Sequence, residues 1–144
     1  MTLGLPKDVD EMAAQIKEKQ YKEQNAVLSD LRTYYKAYNE ENLDLTLQYT
    51  SPLFMEDWSA AIIWGGEWEE SLKAQFELSD ARYKLSEERV IFLGEKEAVV
   101  HGKLEWSDAS DGVEPGDHVF EALIYMDYAN GHWNYSKDID INQN

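Results

Sequence analysis

Two hydrophobic periods divide the chain. From Asp8 to Gln24, Val9, Met12, Ala13, Ile16 and Gln20 recur at rough helical spacing among charged residues, which predicts a weakly amphipathic N-terminal helix. From Asn25 to Asn39 the period strengthens: Val27, Leu31, Tyr34 or Tyr35, and Tyr38 return every three or four residues, marking the main helix. Asn42 is placed to cap a shorter helix in which Leu43 and Leu47 share a face. Ser51-Pro52 reads as its end, because the residue before a proline avoids the helical region, and Leu53–Trp58 then reads as a short strand. Gly65-Gly66 breaks the chain before a third helix, Glu67–Leu78, with Trp68, Leu72 and Phe76 on one stripe and an acidic start suited to the helix dipole.

The period then changes to two. Arg82–Leu93 predicts a strand, in two pieces or bent, and Glu97–Trp106 alternates Ala98, Val100, Gly102, Leu104 and Trp106 against Val99, His101, Lys103 and Glu105. A loop at Ser107–Asp117 is rich in turn formers, His118–Tyr128 is the third strand, and Asn130-Gly131 is a strong hairpin signal before Trp133–Ile141. Helices followed by an antiparallel meander give an α+β class, with residues 1–24 as a helical extension and 25–144 as one domain.

Composition narrows the function classes. The 144 residues include 5 Trp and 9 Tyr and no cysteine, so disulfides, thiol nucleophiles and cysteine-held zinc are excluded. Asp and Glu number 29 against 13 Lys and Arg, a formal net charge of −16, which repels phosphate backbones and anionic lipid heads. The longest apolar run, Ala60–Trp64, is far short of the ~20 residues that span a bilayer, and the first ten residues lack the basic start and long apolar stretch of an export signal. The expectation is a cytoplasmic protein that binds neither nucleic acid nor membrane. His101 and His132 form no ligand spacing with another histidine, and Asp108–Asp117 fails the calcium-loop pattern at Ala109, so no metal and no cofactor is expected.

The order helix, short helix, Phe54-Met55-Glu56-Asp57-Trp58, glycine-led helix and a meander ending in Asn130-Gly131-His132-Trp133 resembles the nuclear transport factor 2-like superfamily. The SnoaL-like and ketosteroid-isomerase-like branch is the nearest in pattern, and the resemblance covers Ala26 to Ile141. It implies a cone: a curved antiparallel sheet wrapped around three helices, with a pocket at the open end and, commonly, a homodimer formed through the sheet. The superfamily holds both enzymes and non-catalytic binding or assembly modules, so the fold alone does not choose between them.

Within that resemblance Asp57 takes the place of the proton-shuttling carboxylate and Tyr34 that of a phenol donating to a substrate oxygen. Read from the residues, Asp57 on a strand beside Phe54, Met55 and Trp58 would lose hydration and titrate higher, as a general base requires. Tyr34, Tyr35 and Tyr38 equally form a core stripe, and Tyr35 is the other inward candidate. Two alternatives stand for the third strand: Glu121 faces the pocket with Val119, Leu123 and Tyr125, or His118 does with Phe120, Ala122, Ile124 and Met126. Trp58 and Trp106 offer flat apolar surface for a small hydrophobic or aromatic ligand, or else fill the core and a dimer face. The expected function is small-molecule binding, with proton-transfer catalysis by Asp57 and Tyr34 (isomerase, dehydratase or cyclase) as its enzymatic form. The alternative is an assembly module acting through the pocket or the outer sheet face.

Overall fold

The computed structural model describes the backbone of residues 5–60 and 67–142 and the side chains of 8–58 and 67–142. The predicted break at Gly65-Gly66, and Trp64 beside it, lie outside the described residues. Among the described residues four helices, α1 (Leu5–Asn39), α2 (Leu43–Gln48), α3 (Pro52–Ala60) and α4 (Trp68–Leu78), precede four strands, β1 (Ala81–Leu93), β2 (Glu97–Asp108), β3 (Val113–Ala129) and β4 (His132–Asp140). The strands form one antiparallel sheet in sequence order. The class is therefore α+β with a four-stranded sheet and a long N-terminal helix.

The two predicted N-terminal helices are a single rod of 35 residues, since no Gly or Pro interrupts the segment between them. Its second half lays Val27, Leu31, Tyr34, Tyr35 and Tyr38 on the sheet, where Ala98, Val100, Leu104, Ala122, Ile124, Met126 and Trp133 meet them. Two polar clamps fix the crossing. Asp30 Oδ2 accepts the backbone N–H of Trp133 at 2.9 Å. Asn39 exchanges two hydrogen bonds with the backbone of Tyr83, at 2.6 and 2.8 Å.

The predicted strand at Leu53–Trp58 is a helix, α3. Ser51-Pro52 is a helix start: Ser51 Oγ caps the N–H of Phe54 at 3.2 Å, and Pro52 at the first helical position has no N–H to leave unsatisfied. The chain just before it pairs with β4 instead, Ser51 N–H donating to the Tyr135 carbonyl and Tyr135 N–H to the Tyr49 carbonyl. Asn42 does cap α2, its Oδ1 accepting from Leu45 N–H at 3.2 Å.

The predicted loop at Ser107–Asp117 is shorter than read. Asp108 accepts from the N–H groups of Ser110 and Asp80, both at 3.1 Å, and so organises a 3-10 turn at Ala109–Asp111, closed by Gly112 at φ 73°. Asn130-Gly131 turns with φ 59° and 87°, the left-handed pair that a two-residue hairpin needs. Register shifts interrupt β1 between Ser86 and Arg89 and β4 opposite Tyr125 and Met126.

Candidate functional site

Pairing register decides which face each strand residue takes. Ala122, Ile124 and Met126 are buried beneath α1, so the face of β3 that includes His118 and Phe120 is the inner one. Glu121 stands on the outer face, half exposed, with His101 Nε2 at 3.7 Å. Of the two alternatives for this strand, the structure therefore has the more apolar face inward.

At the end of the inner face that α1 leaves uncovered, a cavity of about 490 Å³ is lined by Tyr83, Trp106, His118, Phe120, Asp138, Ile139 and Asp140. Cross-strand pairing builds its wall: Tyr83 pairs with Trp106, and Trp106 with His118, whose rings lie 5.3 Å apart. Behind two of its lining residues, Asp138 and Tyr83, lies a shell of phenols. Tyr135 donates its hydroxyl to Asp138 Oδ2 at 2.5 Å, and Tyr34 stacks on the Tyr135 ring at 4.2 Å and 8°. Tyr35 packs edge-on against Tyr135 and tilted against Tyr83, its hydroxyl buried without a protein partner.

This environment sets the protonation states. Burial, first of all, pushes the phenols of Tyr34, Tyr35 and Tyr135 well above their usual range, so they remain neutral donors. Burial also raises the Asp138 carboxyl above the usual carboxylate range, opposed by the hydrogen bond from Tyr135. An acid of this kind, in the lining of an aromatic cavity, can present either a proton or a charge to a bound oxygen function.

Asp57 lies elsewhere. On α3 it is exposed, and it lines a different cavity of about 450 Å³ with Leu53 and Phe54 of that helix and Phe92, Val99, Tyr125 and Lys137 of the sheet. The expected loss of hydration does not arise, because a helix in place of a strand turns Asp57 to solvent. Trp58 packs with Phe54 and Trp68 between α3 and α4. The structure thus gathers Trp106 and His118 around one cavity, buries Tyr34 behind the Tyr135 ring that holds Asp138, and places Asp57, Trp58 and Glu121 away from it.

Asp138 is the residue that sequence reasoning missed. Strict alternation along Trp133–Asp140 sets Tyr135 and Asp138 on opposite faces. Pairing jumps from Tyr135–Met126 to Lys137–Tyr125, so Ser136 is an extra residue that reverses the phase and brings both inward. Among the described residues no group of His, Asp and Glu is arranged to hold a metal ion, and no helix is long and apolar enough to cross a membrane.

By sequence the chain matches no protein-family model and no curated protein. By structure it is similar to a SEC-C motif containing protein from Rhodopseudomonas palustris, with a TM-score of 0.52, 15% identity, and 78% of this chain and 77% of that one covered. A second similar structure, a protein of Bdellovibrio bacteriovorus, has a TM-score of 0.48 and 10% identity, covering 76% of this chain and 37% of that one. The first likeness concerns the fold alone.

Proposed function

We propose that this chain is a small-molecule-binding domain of the nuclear transport factor 2-like, SnoaL-like kind, its ligand a flat, largely apolar molecule carrying one oxygen function. The observation that carries this reading is Asp138, an acid with a raised pKa held by Tyr135, lining a cavity together with Trp106, His118 and Phe120. The aromatic rings supply apolar area and stacking, and the carboxyl orients the oxygen. Irregularities in β1 and β4, which bend strands, support the cone-shaped sheet that this family would have. Binding is favoured over a proton shuttle between Asp57 and Tyr34, because Asp57 is exposed and lines a different cavity, while Tyr34 is buried in the core. Any proton transfer in this cavity would run through Asp138.

The test is a titration with 1-naphthol, followed by NMR of the Trp106 indole and the His118 ring. Trp106→Ala and Phe120→Ala should each weaken binding about tenfold or more, as loss of an aromatic anchor does, while Asp57→Asn leaves it unchanged. Shifts centred on Leu53, Phe92 and Val99 would instead overturn the reading in favour of an outer-face module.

A further inference from the structure

We propose that two copies of this chain pair through the first half of α1, antiparallel, with Met12 of each helix against Ile16 of the other. Every residue from 8 to 26 is exposed, although the helix is continuous with its buried second half. Val9, Met12 and Ile16 lie three and four residues apart on one face and are 55, 55 and 52% exposed. Val27 follows Val9 by about five full turns, so the stripe that the sheet covers from Val27 onward is the same stripe, continued past the edge of the domain. An amphipathic helix owes most of its stability to the packing of that face. The chain's own β1–β2 turn, Leu93–Glu95, faces the helix only at Lys19–Gln24, and among the described residues nothing covers Val9, Met12 and Ile16.

Charge selects both the occupant and its direction. The whole chain carries −16, yet residues 8–26 hold five carboxylates and three lysines, a net of −2, which leaves −14 on the remainder. This helix is therefore a surface on which two such acidic molecules can meet. Its charge is also polarised: Asp8, Asp10 and Glu11 stand at one end, and Lys17, Lys19 and Lys22, with Glu18 and Glu23, at the other.

Antiparallel pairing sets the acidic end on the lysine end twice. With Val9 and Ile16 in one seam position and Met12 and Lys19 in the other, the layers are Val9 with Lys19 and Met12 with Ile16. Asp8 then flanks Lys22 of the second copy, and the neutral Gln15 and Ala13 lie about the two-fold axis. Lys22 is 3.2 Å from Glu18 of its own helix, an exposed pair that leaves it free to take a second carboxylate. Parallel pairing would instead stack Lys19 on Lys19 and Glu23 on Glu23 and bring the two acidic bodies side by side. Antiparallel pairing sets the two Val27 positions, where the buried stretch of each helix begins, about 39 Å apart along the axis, some five screening lengths at physiological salt.

A seam of this length is smaller than a standard interface, so the dimer depends on concentration. Sedimentation velocity on the full chain from about 5 to about 300 µM should show the dimer fraction rising. Ile16→Glu, at an exposed position, should raise the dissociation constant at least tenfold with far-UV circular dichroism of the domain retained. Asp8→Lys should weaken pairing, and adding Lys22→Asp in the same chain should restore it. Because the chain has no cysteine, orientation is read directly by mixing Val9→Cys with Lys19→Cys chains. Disulfides joining one of each are expected. Monomer throughout the range, a dimer indifferent to Ile16→Glu (as pairing through the sheet would give), or disulfides between like chains would each overturn the proposal.

Discussion

Replacing Gly102 sets two opposed effects against each other, and the structure decides the sign. Gly102 is buried on β2, opposite the β1 irregularity in which Glu87 adopts φ 54°. A glycine within a strand costs about 0.5–1 kcal/mol relative to alanine, so propensity alone predicts that Gly102→Ala stabilises. A Cβ there, however, would stand 2.9 Å from Leu85 Cδ1, 3.2 Å from the Ser86 carbonyl oxygen and 3.3 Å from Glu88 Cα. The leucine methyl can turn away, but the other two atoms are backbone. The Glu88 side chain is also tied to α1 through Arg32 at 2.9 Å, so the bulge cannot readily retreat. Overpacking of this kind costs about 1–3 kcal/mol and outweighs the propensity gain. The expected net loss for Gly102→Ala is about 1 kcal/mol, with Gly102→Val worse. Urea unfolding followed by tryptophan fluorescence reads this as a midpoint lowered by about 0.5 M for a typical slope near 2 kcal/mol/M. A variant as stable as the parent would refute the argument. So would a double-mutant cycle in which Leu85→Ala cancels the whole loss, since the backbone contacts would then count for nothing.

Three further outcomes follow from the same geometry. The native state holds the Asp138 proton more tightly than the unfolded chain does, so this group favours folding at acid pH and loses that contribution as pH rises through its raised native pKa. Asp138→Asn should accordingly gain stability relative to the parent between pH 3.5 and 7, the gap closing toward the acid end; a gap that closes toward neutrality would reverse the sign. Leu31→Ala empties a fully buried position between α1 and the sheet and should cost about 2–5 kcal/mol in urea unfolding. Ser51→Ala removes the cap of α3 and the hydroxyl that donates to Asp127 Oδ2, while Asp127 Oδ1 is already buried without a partner. The loss should be about 1–3 kcal/mol by thermal melting.

Legibility in the sequence followed how local each signal was. The Asn130-Gly131 turn, the Asn42 cap and the core stripe of α1 each depend on residues a few positions apart, and all three are where the spacing puts them. Ser51-Pro52 carried two local meanings, the end of one helix and the start of the next. Tertiary pairing of residues 49–51 with β4 turns the chain there, so that the second applies. Asp57 was misplaced as a consequence, because a strand periodicity was laid over a helix. Asp138 was hidden by a single extra residue, Ser136, which exchanges the two faces of β4 for everything after it.

The cavity and the free helix arm have a common origin in how α1 meets the sheet. The clamps at Asp30 and Asn39 fix the stretch of helix that the sheet covers, from the start of β4 to the start of β1. Past Asn39 the chain turns away at Glu41, φ 56°, and among the described residues no helix lines the cavity at Trp106, His118 and Phe120. Before Val27 the helix runs on exposed: the β1–β2 turn at Leu93–Glu95 faces it across a cavity at Lys19–Gln24, and nothing described lies against the apolar stripe beyond. A helix slid one turn toward the cavity would draw more of its stripe over the sheet and close over Asp138. Slid one turn the other way, it would leave more of its stripe bare and the cavity wider. The two polar clamps hold it between these limits, so Asp30→Ala or Asn39→Ala should disturb the cavity and the core together, whereas Ile16→Glu should leave both intact.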